Sequence, residues 1–153
     1  MWARQHAWLS TPEDAPVKTK DGSPGPDRPT RWAKLEKKGK EIDLPDLDGD
    51  DAIAGWLMDA GPLASGGMAP APISWRELAA WAGMTGYEPD PWAAETLMAM
   101  SRAYLAEVER SNGQQVPAPF MPRMEPEKVS KTLGEILDGM MAAQAEKKRK
   151  GRR

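Results

Sequence analysis

Apolar residues recur at helical spacing in four stretches of the chain. Ile53, Trp56, Leu57 and Ala60 stand at i, i+3, i+4 and i+7, the stripe of an amphipathic helix over about 50–60. Asp48, Asp50 and Asp51 sit at its start, where the helix dipole favours carboxylates, and Gly61-Pro62 stops it. The second helix, 74–85, opens on the sharpest start signal in the sequence. Ser74 and Glu77 form an S-x-x-E capping box, with Ile73 and Leu78 placed as a hydrophobic staple. Leu78, Trp81 and Ala82 share one face until Gly86 ends it. Asp90-Pro91, an N-cap followed by proline in the first turn, opens the third helix. It runs to Asn112-Gly113 with Leu97, Met100 or Ser101, Tyr104, Leu105 and Val108 on one face. The fourth, about 126–148, aligns Val129, Leu133, Ile136, Leu137 and Met140.

The pattern predicts an all-α protein, since no stretch alternates as a strand would. A small helical hairpin (74–112) forms its centre, with helix 50–60 packed across it and an amphipathic helix at the C-terminus. Residues 46–113 are the expected helical core domain, 114–125 a proline-rich linker, and 126–153 the last helix with its basic end. The first 45 residues read as a mostly disordered arm. Residues 10–30 hold five prolines and no aromatic ring, too little apolar surface to offset ordering entropy. The flanking pieces, a turn around Trp2 and Trp8 and a marginal helix over 31–40, are too short to fold alone.

Composition narrows the chemistry. The 153 residues include 15 Pro, 14 Gly, seven Trp and ten Met but no Cys, so thiolate catalysis and cysteine-bound metals are excluded. His6 is the only histidine, which excludes multi-histidine metal sites and argues against a Ser–His–Asp triad. No apolar run approaches the ~20 residues that cross a bilayer, and no apolar segment follows Met1 as in a secretory leader. The net charge of −2 hides an asymmetry: Lys147, Lys148, Arg149, Lys150, Arg152 and Arg153 hold six of the 21 bases. Residues 1–146 therefore carry 15 bases against 23 acids.

Candidate sites follow from these patterns. The run from Asp46 to Asp51 begins like a calcium loop, but its sixth position is Asp51 instead of Gly and its twelfth is Leu57 instead of Glu, so helix capping explains it more simply. A helix–turn–helix reading of 74–112 lacks Arg, Lys, Asn or Gln at the start of its second helix, where Glu95 would repel phosphate. Nucleic-acid binding would then fall to the basic tail alone. Glu77, Glu88, Glu95, Glu107 and Glu109 are assigned to caps and solvent faces, with no nucleophile at a useful spacing. No catalytic residue, cofactor or metal is expected. Trp81 and Tyr104 are expected in the core; Trp75 and Trp92, with Met140 and Met141 of the last helix, are expected to meet a partner.

One stretch is similar to a known family. Pro72-Ile73, Ser74-Trp75, Glu77-Leu78, Trp81, the Thr85-Gly86 turn, Pro91-Trp92 and the helix through Tyr104-Leu105 resemble small proteins of long-tailed phages and prophages encoded beside the tape-measure protein. Those proteins are treated as tail assembly chaperones or minor tail components. The likeness covers about residues 53–108; where the family has Pro-Trp-Glu, this chain has Pro91-Trp92-Ala93, with Glu95 nearby. The resemblance implies a helical, non-enzymatic protein that holds tape-measure or tail-tube subunits before they polymerise. It implies action in the host cytoplasm during assembly, with retention in the virion tail as the alternative. The motif residues match as structure, and no catalytic residue is carried over.

Overall fold

The computed structural model describes residues 1–16, 27–67 and 69–121. The expected linker segment 17–26, the C-terminal helix with Met140 and Met141, and the basic tail from Lys147 to Arg153 lie outside the described residues. Within them the chain is mostly helical. Its helices are α1 (Trp2–Ser10), α2 (Arg31–Lys37), α3 (Asp51–Ala60), α4 (Trp75–Thr85) and α5 (Pro91–Ser111). A pair of two-residue strands, β1 (Ala64–Ser65) and β2 (Pro70–Ala71), joins α3 to α4 as an antiparallel ladder with Ala64 opposite Ala71. The sequence pattern gave no strand here, because two residues are too few to alternate. Gly66 closes the turn by donating its N–H to the Ala69 carbonyl at 2.9 Å, and a Cβ at this position would collide with that same oxygen.

The helix starts follow their local chemistry. Ser74 accepts the Glu77 N–H while Glu77 accepts the Ser74 N–H at 2.7 Å, and the staple residues Ile73 and Leu78 are both buried. Asp90 caps α5 by accepting the Ala93 N–H at 2.7 Å. Gly86 ends α4 in the left-handed conformation, φ +75°, which an L side chain rarely adopts.

The core gathers Ile53, Leu57, Ile73, Leu78, Ala93, Leu97, Met98 and Tyr104 with Ala3 and Ala7 of α1. Two expectations are corrected by it. The first is the disordered arm: its described parts are ordered and packed. The main partner of α5 is α1, not α4, and α2 rests on α1. A short helix gains little from propensity, so α1 depends on this docking. Ala3 and Ala7, one turn apart, leave room for close approach to α5, and Leu9 is buried on the other side of α1. The second correction follows from the first. The 74–112 hairpin is not the centre of the fold, because α4 makes its chief helical contacts with α3.

Polar ties hold these pieces together. Arg31, buried, donates to the carbonyls of Trp8 (3.1 Å), Thr11 (3.0 Å) and Ser111 (3.1 Å) and to the Thr11 hydroxyl (2.7 Å). Its guanidinium also lies 4.8 Å from the Trp8 ring centroid. Residues 114–121 do not hang free. They run back over α1, where the Trp8 indole N–H donates to the Val116 carbonyl at 3.0 Å and Gln5 accepts the Phe120 N–H at 3.1 Å.

Candidate functional site

A largely exposed surface lies where α4, the 86–90 turn and the first half of α5 meet. Two open hollows adjoin there and share Trp75 as a common wall. One, of about 550 Å³, is floored by Leu78, Ala79, Ala82 and Gly83 and edged by Tyr87 and Glu88. The other, of about 440 Å³, lies between Trp75 and Trp92 with Glu95, Met98, Ala99 and Arg102 along α5. Both are broad and open to solvent. Such a surface receives side chains of a polypeptide more readily than it encloses a small molecule.

The floor arises from residue size. Trp75, Ala79, Ala82, Gly83 and Gly86 fall on one helical face at i, i+4, i+7, i+8 and i+11, so large Trp75 stands above a run of small residues. On α5, Trp92, Thr96, Ala99 and Arg102 form a parallel face, while the neighbouring Ala93, Ala94, Leu97 and Met98 turn into the core. Trp75 and Trp92 are 57% and 59% exposed. That is a large unburied aromatic area on two rigid elements.

A stacked aromatic wall fixes the turn beside this surface. Tyr87 stacks on Trp81 with centroids 5.4 Å apart and meets Trp56 at the same distance. The Trp81 indole N–H donates to Asp59 Oδ2 at 2.8 Å, tying α4 to α3. Trp81 is half-buried, held in the wall by its ring face and its polar end together, while Tyr104 is fully within the core. The capping hydrogen bonds from Ser74 hold the Glu77 carboxyl below its ordinary range. Ser74, Glu77, Leu78, Gly86 and Pro91 thus set the two helices, and Trp75 and Trp92 project from their first turns.

One carboxylate departs from its expected place. Glu107 is not on a solvent face; it is 1% exposed. Its Oε2 accepts Arg4 Nε and Nη2 at 3.0 and 2.9 Å, and its Oε1 accepts Arg110 Nε at 2.9 Å. Two arginines engage both of its oxygens in a tie between α1 and α5, so it serves as an anchor. The Asp46–Asp51 run keeps to local structure as well: Asp46 Oδ1 accepts the Asp48 N–H at 3.0 Å in the turn before α3. Among the described residues no group of three or more His, Cys, Asp or Glu side chains is placed to hold a metal ion. No helix among them is long and apolar enough to cross a membrane.

Sequence reasoning singled out the two tryptophans but not the small-residue floor or the edge carboxylates Glu88 and Glu95. The only trace of that floor in the sequence is the helical spacing of Ala79, Ala82 and Gly83, which a packed small-residue face such as Ala3 and Ala7 shows equally. Set against known protein families, curated proteins and solved structures, the chain matches none.

Proposed function

We propose that the protein is a non-enzymatic tail assembly chaperone of a long-tailed phage or prophage, holding a tape-measure or tail-tube protein before polymerisation. The observation that carries this reading is the pair of exposed tryptophans above a small-residue floor, on helices whose starts are capped and whose turn is locked by aromatic stacking. A surface fixed before binding loses little conformational freedom when a client docks. Covering an apolar stripe on the client keeps copies of that client apart, and it needs no reactive group. The resemblance of residues 53–108 to small tail proteins supports a tape-measure or tail-tube protein as the client.

Co-expression tests it. The tagged chain retains the tape-measure or tail-tube protein encoded beside it, Trp75→Ala with Trp92→Ala releases that protein, and finished particles lack the chain. Failure to retain either protein overturns the reading. Stoichiometric retention of the chain in purified particles instead identifies a structural tail component.

A further inference from the structure

The surface around Trp75 carries a charge pattern as well as an apolar one. Between Glu41 and Met121 the sequence has 13 acids against three bases, Arg76, Arg102 and Arg110. Several of those acids are committed to local structure. Glu77 and Asp90 cap helices, Asp59 accepts Trp81, and Glu107 is held by Arg4 and Arg110. Glu88 and Glu95 differ. Each edges one of the two hollows, each is exposed, and among the described residues neither enters an ion pair. Arg102 stands two turns along α5 from Glu95, about 10 Å at the helical rise. The surface therefore has small and apolar residues at its floor, one carboxylate in the turn before α5, one early in α5, and one cation farther along that helix.

Resting on the reading of this surface as a client site, we infer that its occupant is a cationic amphipathic helix. The helix inserts an apolar stripe between Trp75 and Trp92 and sets Lys or Arg residues against Glu88 and Glu95. Arg102 fixes the direction by disfavouring a basic residue at the far end. An anionic helix, an acidic membrane surface or a nucleic acid would bring like charge against both carboxylates and is repelled.

Binding of the full-length chain to synthetic helices tests the inference without any phage client. A Leu/Lys amphipathic peptide binds at least about tenfold more tightly than its Leu/Glu counterpart by calorimetry, a margin of about 1.4 kcal/mol. Trp75→Ala with Trp92→Ala removes the binding. Glu88→Lys with Glu95→Lys reverses the preference between the two peptides. Neutralising the remote acids, Asp46→Asn, Asp48→Asn and Asp50→Asn, leaves it unchanged. Equal affinity for both peptides overturns the inference, as does loss of binding in the Asp46, Asp48, Asp50 variant, which would mark diffuse attraction to an acidic chain. Peptide binding without client retention sinks the chaperone reading alone, and client retention without a charge preference sinks this one alone.

Discussion

Arg31 joins several separate segments of the chain. It bonds carbonyls from α1, the 11–16 segment and the end of α5, each of which also accepts a second donor. Removing the guanidinium deletes these hydrogen bonds and the volume that fills a buried site, so Arg31→Ala lowers stability by about 2–3 kcal/mol, measured by urea denaturation. Arg31→Lys recovers only part of that, because an ammonium cannot span the same acceptors. His6 gives the same region a pH dependence. It stacks on Trp2 at 5.0 Å and lies near Trp32 and Tyr104, and burial lowers its pKa from the ordinary 6.5. The folded state thus holds the neutral ring while the unfolded chain takes up a proton first. Stability is complete above about pH 6.5 and declines as pH falls below it towards the folded value. His6→Phe, which keeps the ring stack without a titration, flattens the melting-temperature profile between pH 7 and 5. An unchanged slope in that variant would assign the decline to other groups.

At the scale of elements, the helices that were legible in the sequence are those whose signals are local. The capping box at Ser74, the Asp90-Pro91 start and the Ile53–Leu57 stripe each lie within a few residues, and α3, α4 and α5 begin where those signals stand. The role of α1 was not legible. Its buried residues, Ala3, Gln5, Ala7 and Leu9, fall on two opposite sides of the helix with a single large apolar side chain among them, and its ties reach Glu107 and Val116, over 100 residues away. A small-residue face reads as weak until the helix that packs on it is known, and a buried Arg or Glu reads as exposed until its partner is known. The candidate site was half legible for a similar reason: two tryptophans announce themselves, whereas an Ala/Gly floor does not. The docking of α1 has a direct test. Ala7 is fully buried, so Ala7→Leu forces an added side chain into that interface and destabilises by about 1–3 kcal/mol in denaturant titrations. The same substitution on an undocked arm would be silent.

On the scale of the whole described molecule, α5 separates what holds the fold from the surface proposed to meet a partner. Its C-terminal half carries Tyr104, Glu107 and Ser111, buried and tied to α1, Thr11 and Arg31. Its N-terminal half buries Ala93, Leu97 and Met98 on one side and leaves Trp92, Glu95 and Arg102 on the other. Substitutions on the two sides are therefore expected to have opposite profiles. Leu97 is fully buried, and Leu97→Ala opens a cavity at the centre of the core, lowering stability by about 3 kcal/mol. Trp75→Ala with Trp92→Ala removes rings already more than half in water, and its unfolding free energy stays within about 1 kcal/mol of the parent. Measured on the same samples, the tryptophan pair loses affinity for a cationic amphipathic helix while its unfolding midpoint barely moves. Leu97→Ala shifts the midpoint but, below the onset of unfolding, binds as the parent does. If the double tryptophan variant instead unfolds as readily as Leu97→Ala, the two rings are part of the structural core and the exposed end of α5 is not a surface kept for a partner.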